Sequence, residues 1–344
     1  MAAPMFFETV KMLLAVAFGG AVALFAAGAP SAAGEVSEIA VRAEALAMNP
    51  EDAAADRVGR LRFMGGLVLR SDERRFGGWS ALAWEGRCGR LLAVSDTGNW
   101  MAFEPVEGKG RLTGVGRAWL APVLGADGAP PPTKEAGDAE AVSLSGGEAD
   151  VAFEQTHRIQ RYDGIDACAP ETLAARARAV EAIPASGAWP RNGGAEAFTR
   201  LGDGRMLALS EEAAGPDGGR DALIWRDGKV ERRFSWLPPS GFDPTDMVMV
   251  GTKALVLHRK FSPLTGAAAA IAVADIAGQL DGSATETLVR PEVLATIAPP
   301  LSVDNMEGMA LRREGGRMFL YLMSDDNFRS VQRTLLLKFE LVGE

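Results

Sequence analysis

The most constraining feature of this sequence is a short pattern near its carboxyl end that occurs five times along the chain. Residues 304–327 read DNMEGMALRREGGRMFLYLMSDDN, in which acidic residues precede a short apolar run. A Gly-rich turn and a second apolar run follow, and the stretch closes on Ser324 and further acids. The pattern predicts two strands joined by a tight turn, with acidic side chains at both outer ends.

The same order of residues recurs upstream at nearly regular intervals. The four earlier copies cover residues 79–96, 138–154, 195–211 and 245–259, and the first opens on Ser80 in place of an acid. Self-similarity with such a period is typical of propellers and solenoids. A helical solenoid is excluded, because the apolar runs are too short and too rich in valine, glycine and turn residues.

Each interval between copies holds two further strand-like runs, which gives four strands per unit. In the third unit, the runs 221–227 and 230–236 are joined by a Gly-Lys turn as a hairpin. Four antiparallel strands per unit predict an all-β fold, a β-propeller of four-stranded blades. The last unit has only three strands, so Leu61–Arg70 is predicted to supply its fourth and close the ring. Five units can be counted, and 98–134 or 163–190 could hide a sixth.

Composition narrows the range of partners. The chain has 344 residues, of which 47% are hydrophobic and 24% charged, so it can bury a large core. A formal net charge of -9 argues against nucleic acid, which needs clustered lysine and arginine, and favours a cationic partner. Two histidines and two cysteines are too few for a multi-histidine metal site or a Cys-rich zinc site.

The amino-terminal segment is predicted to be an export signal. An apolar run at 12–28 follows Lys11 and precedes small residues that suit signal cleavage. Residues 1–33 are therefore interpreted as the signal, which predicts a periplasmic or secreted protein without membrane contact after cleavage. An uncleaved anchor is the alternative, since the run approaches the length that spans a bilayer. Residues 34–60 are interpreted as a linker, and 61–344 as one propeller domain.

The two cysteines, Cys88 and Cys168, lie far apart in the sequence. In the oxidising compartment that an export signal implies, they could form a disulfide. A pair of free buried thiols is equally compatible with the sequence, because spacing alone does not fix the distance between two cysteines in the fold.

Several of the copies also resemble a known family. The residues are FGGWSALAW at 76–84, GRLLAVSDTG at 89–98, DAEA at 138–141, GAEAF at 194–198 and NMEGM at 305–309. Together they resemble the exported bacterial family called esterase-like activity of phytase, or phytase-like, over most of 63–341. The resemblance implies a propeller fold and suggests hydrolysis of a small phosphoester or ester. It carries over no catalytic residue.

Propeller topology brings the acidic ends of the copies together. The first strand of each blade lines the central channel and the second runs back beside it, so the start of one and the end of the other share a face. The expected ring at that mouth contains Asp96, Glu140, Glu154, Glu196, Glu211, Asp246, Glu307 and Asp325, with His157, Arg158, His258 and Arg259 interspersed. Such crowding is unfavourable unless arginines, raised pKa values or a bound cation compensate it.

These side chains lead to a hypothesis for the chemistry. Carboxylates are expected to bind Ca²⁺, which takes several oxygen ligands in flexible geometry, and the predicted ligands are Asp96, Glu140, Glu154, Glu196, Asp246 and Asp325. Ca²⁺ would hold a phosphate while Arg158 and Arg259 clamp its oxygens. Glu211 or Glu307 would orient the attacking water. His258 is included among the predicted catalytic residues because its position in the fourth copy is taken as equivalent to those of Asp96 and Glu211 in theirs.

Structural explanations compete with this hypothesis. An acid after a strand commonly forms a turn, and an acid at the start of a strand can accept backbone N–H bonds from the next blade. For any single acid such a structural role is the favoured interpretation. For Glu140, Glu196 and Glu307 taken together, a structural and a functional role are equally favoured. A serine esterase is disfavoured, because no G-x-S-x-G motif frames a serine.

The expected function is metal-assisted hydrolysis of a small phosphoester or ester by an exported, monomeric propeller. Two alternatives stay open. One is a non-catalytic propeller that binds a periplasmic or extracellular partner through the acidic face, and the other is a lactonase-like hydrolase.

Overall fold

The computed structural model describes residues 35–343, which fold mainly as antiparallel strands. The predicted export signal at 1–33 lies outside the described residues. Four strands precede the first repeat: β1 (Ser37–Ile39), β2 (Arg42–Leu46), β3 (Arg57–Val58) and β4 (Leu61–Arg70). The later strands form five sheets, each of which begins with one copy of the repeat.

The sheets follow one another along the chain as blades. Blade 1 contains β5 (Trp79–Glu85), β6 (Arg90–Ser95), β7 (Asn99–Gly108) and β8 (Arg111–Pro122). After the short helix α1 (Lys134–Gly137), blade 2 contains β9 (Ala139–Ser145), β10 (Glu148–Phe153), β11 (Arg158–Asp163) and β12 (Ala179–Ala182). Blade 3 contains β13 (Ala195–Arg200), β14 (Met206–Ala214), β15 (Arg220–Arg226) and β16 (Lys229–Trp236).

The last two blades follow in the same order along the chain. Blade 4 contains β17 (Asp243–Val250), β18 (Lys253–Ser262) and β19 (Gly266–Asp275); helix α2 (Ala277–Asp281) and β20 (Leu288–Val289) then precede its outer strand, β21 (Glu292–Ile297). Blade 5 contains β22 (Asn305–Glu314), β23 (Arg317–Asp325) and β24 (Thr334–Leu341). The short β20 pairs in parallel with β16 at the outer edge of blade 3.

The five sheets confirm the predicted all-β propeller and fix the number of blades. No sixth sheet is present within 35–343. The stretch 98–134 forms β7 and β8 of blade 1 and the loop that leads into α1. The stretch 163–190 holds β12 and two single 3-10 turns, Pro170–Ala174 and Ser186–Ala188.

Closure of the ring also follows the prediction. Strand β4 pairs antiparallel with β24, with Val68 opposite Leu335 and Leu67 opposite Leu336. Blade 5 therefore combines the beginning of the described chain with its end. This pairing covers an edge that β24 would otherwise leave open to other strands.

The stretch predicted to be a linker is part of the fold. Strand β1 pairs with β8 at the outer edge of blade 1, and β2 pairs with β4 at the outer edge of blade 5. Ile39, Val41 and Ala43 pack against the core between these blades. This stretch is rich in alanine and glutamate, but a few larger apolar side chains at alternate positions suffice to bind a short edge strand.

The apolar core lies between neighbouring blades. Trp100 of blade 1 clusters with Val142 and Phe153 of blade 2. Leu67 of blade 5 clusters with Trp79 of blade 1 on the other side. Each sheet is thus covered on both faces by its neighbours, which explains the nearly continuous apolar runs of its inner strands.

A disulfide joins blades 1 and 2. Cys88, in the turn between β5 and β6, is bonded to Cys168, in the loop after β11. Arg90 supports the same contact, since its Nη1 donates to the carbonyl oxygens of Ala167 and Cys168 at 2.9 and 3.0 Å. The structure thereby selects the disulfide from the two states that the sequence allowed.

Removing this disulfide is expected to cost about 4.5 kcal/mol of unfolding free energy, because it closes a long loop of the unfolded chain. The bonded cysteines are 80 residues apart. The double variant C88S/C168S should show a lower urea midpoint than the oxidised protein and an unchanged far-ultraviolet circular dichroism spectrum. An unchanged midpoint would show that the bond adds no stability.

Within the described part of the chain, no helix is long and apolar enough to cross a membrane.

Candidate functional site

The innermost strand of every blade contains a β-bulge near its start. In each pairing between the first and second strands, one residue of the first strand is skipped. The skipped residues, in blade order, are Ser80, Glu140, Glu196, Thr245 and Glu307. Because a bulge interrupts the alternation of side chains, it re-aims the extra residue. Four of the five line one cavity, whereas Thr245 is buried and donates to the carbonyl oxygen of Met306 at 3.2 Å.

The second strand of each blade contributes one more residue to the same cavity. These five residues occupy equivalent positions, one residue after the partner of the bulge: Asp96, Glu154, Glu211, Arg259 and Asp325. The backbone N–H groups of Asp96, Glu154 and Glu211 donate to the chain ahead of the neighbouring inner strand at 2.8, 2.9 and 3.0 Å. All five side chains line the cavity. Four positions are therefore acidic, and the fifth is an arginine.

We call this cavity the funnel; it measures about 350 Å³, within the range of small-molecule sites. Its charged lining consists of nine carboxylates and two cationic side chains: Asp96, Glu135, Asp138, Glu140, Glu154, Glu196, Glu211, Glu307, Asp325, Lys134 and Arg259. Neutral polar side chains, among them Asn305, complete the wall. The convergence of acids that the repeat predicted is thus present in the fold.

Arg259 lies among acids contributed by blades 3 and 5. Its Nη2 donates to Oε1 of Glu211 at 2.7 Å, and its Nε lies 3.2 Å from Oε1 of Glu307. Oε1 of Glu196 is farther away, at 3.9 Å from Nη2. Asn305 fixes the other side of the pair, since its Nδ2 donates to Glu307 at 2.7 Å. One guanidinium therefore contacts the carboxyl groups of at least two acids.

Burial raises the pKa of several acids in the funnel. It raises the pKa of Glu307 to about 8, although the positive charge of Arg259 acts in the opposite direction. Burial likewise raises the pKa of Glu154 and of Asp325 to about 7. Several funnel carboxyls thus hold a proton near neutral pH when nothing else neutralises them.

Glu140 and Glu196 are the funnel acids whose negative charge is most strongly disfavoured by the surrounding protein. Burial raises the pKa of both carboxyls well above the ordinary value, and neighbouring carboxylates add to the effect. Their equivalent positions in blades 2 and 3 place them side by side at the channel. A cation in the funnel would remove this unfavourable interaction.

Two sets of three carboxylates are close enough to hold a metal ion. One consists of Asp138, Glu140 and Glu154, and the other of Glu154, Glu196 and Glu211. Within each set, one oxygen from each residue lies within 4.8 Å of the others. Carboxylate oxygens are the donors that Ca²⁺ prefers, so the donor chemistry fits the predicted ion.

Lys134 enters the funnel from a loop that the repeat does not include, and Asp138 enters it from the first position of the second copy. Helix α1 begins after Thr133, whose Oγ1 accepts from the N–H of Ala136 at 3.2 Å. This places Nζ of Lys134 at 2.8 Å from Asp96 and 3.2 Å from Asp138. Neither role was predicted from the sequence, in which the one signal was the position of Asp138 two residues before Glu140.

Asp246 does not line the funnel, which corrects its assignment as a metal ligand. It follows the bulge residue Thr245 by one position, so its side chain points between blades 4 and 5. There it accepts the N–H groups of Met247 at 2.7 Å and Met309 at 2.6 Å. Asp246 therefore has the structural role that was the competing explanation for these acids.

His258 also lies outside the funnel, one residue before the position equivalent to Asp96 and Glu211. It is fully buried, and its Nε2 accepts from Nε1 of Trp236 at 3.0 Å. Burial lowers its pKa to about 4, which keeps the ring neutral. Arg259 occupies the equivalent position, so the assignment of His258 as a catalytic residue was displaced by one residue.

Arg158 and His157 lie behind the funnel wall. Nη2 of Arg158 donates to the carbonyl oxygen of Ala136 at 2.6 Å, and its guanidinium lies 4.0 Å from the ring centre of Phe153. His157 packs edge-on against Trp189. Neither side chain lines the cavity; His157 ends the turn after β10, and Arg158 begins β11. The expected clamp on a substrate by Arg158 is not supported by this placement.

Comparisons of the structure found propellers with little sequence similarity. A gluconolactonase from Xanthomonas campestris aligns at 12% identity with a TM-score of 0.42, covering 90% of this chain and 99% of its own. The PQQ-bound aldose sugar dehydrogenase from Streptomyces coelicolor aligns at 14% identity with a TM-score of 0.44, covering 80% and 97%. Glutaminyl cyclase from Myxococcus xanthus aligns at 9% identity with a TM-score of 0.41, covering 82% and 97%. Likeness at this level carries no argument about activity.

Sequence comparison gives a clearer result. A search of curated proteins found no match. The family model described as esterase-like activity of phytase matches residues 74–328. The matched region includes all five bulges and all five residues at the ends of the second strands. The chain belongs to the Phytase-like family.

Proposed function

We propose that this protein is an exported hydrolase that uses Ca²⁺ to cleave a phosphoester or related ester in the funnel. The observation that carries the proposal is the charge of the site: nine carboxylates and two cationic side chains line one cavity. Burying so many acids together lowers the stability of the fold unless a bound ligand compensates their negative charge. Family membership supports an ester as the substrate.

The donor set supports a hard cation over other ligands. The acids of both three-carboxylate sets offer oxygen donors only, and no histidine or free cysteine among residues 35–343 lines the cavity. The predicted ligands Asp96, Glu140, Glu154, Glu196 and Asp325 all belong to the funnel wall. When bound, Ca²⁺ would neutralise these carboxylates and polarise an oxygen of the substrate.

Arg259 is the group that we assign to substrate binding. Its side chain keeps about a third of its surface exposed to the funnel. A guanidinium has five N–H donors; one on each Nη donates to Asn305 and Glu211, and Nε is buried beside Glu307 in an ion pair. The remaining two are available to a phosphate or carboxyl oxygen, for which the planar group is well suited.

Two carboxyl groups beside Arg259 are suited to proton transfer. Glu211 would orient a water molecule and accept its proton as the water oxygen bonds to the phosphorus or carbonyl carbon. Glu307, whose pKa of about 8 keeps it protonated at neutral pH, would donate its proton to the leaving oxygen as that bond breaks. The products are an acid and an alcohol, and both carboxyls recover their initial state by exchanging a proton with solvent.

One observation of the structure supports export, and the proposed ion is consistent with it. The disulfide between Cys88 and Cys168 is of a kind that persists in the periplasm or outside the cell. Free Ca²⁺ is also far more abundant in those compartments than in the cytoplasm. Both agree with the export signal predicted at 1–33.

A hydrolase screen of the purified protein tests the proposal. The panel consists of p-nitrophenyl phosphate, bis-p-nitrophenyl phosphate, p-nitrophenyl acetate and gluconolactone, each assayed with Ca²⁺ and with EDTA. We expect Ca²⁺-dependent turnover of a phosphate or carboxylate ester, and a loss of at least 100-fold in E307Q. Turnover of the lactone alone would support the lactonase alternative. A folded protein without any turnover would overturn the proposal in favour of partner binding.

A further inference from the structure

The two three-carboxylate sets share one residue, and this has a consequence for the number of ions. We propose that the funnel holds two cations at once, with Glu154 as a ligand common to both. The inference rests on the proposed function in one respect, which is that a cation binds in the funnel at all. It adds the number of ions, their ligands and their different positions in the fold.

The first position lies within blade 2. Asp138 and Glu140 come from the start of β9, and Glu154 follows the end of β10, which pairs with β9. Their oxygens lie within 4.8 Å of one another. Ligand distances of 2.3–2.6 Å to Ca²⁺ allow opposite oxygens to be roughly 5 Å apart, so one ion can contact all three.

The second position lies between blades 2 and 3. Glu196 is the bulge residue of β13, and Glu211 comes from β14 beside it. Glu154 reaches this pair from blade 2, because its Oε1 accepts the N–H of Gly194 at 3.2 Å, directly before β13. The same carboxylate therefore faces both positions, and its two oxygens allow one contact to each ion.

An independent observation at Glu196 points to a ligand. This side chain is more than nine-tenths buried and lines the funnel, yet within 35–343 no group donates a hydrogen bond to its carboxylate. The nearest cationic atom is Nη2 of Arg259 at 3.9 Å, which is beyond hydrogen-bond distance. A buried carboxylate without a donor is strongly unfavourable, and an ion at the second position would remove that cost.

At each position a cationic side chain of the protein competes with a bound ion for one of the carboxylates, and the two side chains differ in exposure. Asp138, at the first position, is paired with Lys134 at 3.2 Å, and Lys134 is more than half exposed. Glu211, at the second, is paired with the less exposed Arg259 at 2.7 Å. Because a mobile surface lysine is displaced more readily than a half-buried arginine, we expect the first position to bind Ca²⁺ more tightly.

Isothermal titration calorimetry with Ca²⁺, repeated with Mg²⁺, tests the inference. The wild-type protein, stripped of metal, should bind two equivalents of at least one of these ions. E140Q should keep only the weaker site and E196Q only the tighter one, whereas E154Q should weaken both by at least tenfold. E212Q is the matched control: it removes the same charge beside Glu211 but lies outside the funnel, so it should bind as the wild type does.

The outcomes separate this inference from the proposed function. One equivalent or none with both ions would overturn the inference, as would loss of all binding in both E140Q and E196Q while circular dichroism shows them folded. Ester hydrolysis with a single bound ion would contradict the two-ion site alone. Two bound ions without hydrolysis of any ester would contradict the proposed function alone.

Discussion

Replacing Arg259 with methionine is expected to lower kcat/KM for the ester substrate by 100-fold or more. The guanidinium supplies the N–H donors assigned to the substrate oxygens, and losing one well-placed donor of this kind typically costs two to three orders of magnitude. Glu211 also loses its counter-ion at 2.7 Å. Steady-state kinetics at saturating Ca²⁺ measure the effect.

A role in structure alone would not produce the second effect expected of R259M. Without the competing guanidinium, Glu211 is free to bind a cation, so the affinity for Ca²⁺ should rise while turnover falls. The neighbouring variant K260M removes the same charge from a side chain that packs over Phe242, outside the funnel, and should retain turnover within about threefold. Wild-type kinetics in folded R259M would remove Arg259 from the mechanism.

The metal-free protein is expected to lose stability as pH rises from about 5 to about 8. Burial raises the pKa of Glu154 from 4.5 to about 7, of Asp325 from 3.8 to about 7, and of Glu307 from 4.5 to about 8. Between these values, the folded protein binds protons that the unfolded chain has released, so unfolding is favoured by higher pH. Each such group contributes a slope of roughly 1.4 kcal/mol per pH unit as an upper bound.

Differential scanning calorimetry in EDTA should therefore show Tm falling by on the order of 5 °C or more over this interval. Excess Ca²⁺ should oppose the fall, because it binds the deprotonated carboxylates of the folded state. The variant E154Q, which has one fewer group to titrate, should show a shallower slope in EDTA. A metal-free protein whose Tm stays constant or rises towards pH 8 would contradict the burial of protonated acids in the funnel.

The repeat pattern was sufficient to predict the blades, but not the position of every side chain. Strand alternation has a period of two, so an error of one residue moves a side chain to the opposite face. In blade 4 the pattern predicted Asp246 and His258 as site residues. The structure instead has Thr245 at the bulge, and Arg259 is the second-strand residue that lines the funnel. In blade 4 the acid lies one residue beyond the bulge, and no property of the sequence shows where the extra residue of the bulge is placed.

Non-repeating segments were the other source of error. Lys134 reaches the funnel through helix α1, which lies between blades 1 and 2 and leaves no periodic signal. Asp138 opens the second copy, but Gly78 and Gly194 hold the equivalent positions beside the first and third copies, so no regularly repeated acid marked it. The edge strands β1 and β2 were predicted to be a linker because they are short, polar and outside the repeat. By contrast, the closing strand β4 was identified because blade 5 would otherwise lack a fourth strand.

The central claim is that acids converging at the channel mouth form a cation-dependent hydrolytic site. Its most direct test is the initial rate of hydrolysis of the best ester from the screen, measured in metal-stripped buffer as free Ca²⁺ is increased. The account predicts a rate near zero without Ca²⁺ that rises to saturation and is abolished by E307Q. Equal rates in EDTA and in Ca²⁺, unaffected by E307Q, would contradict it.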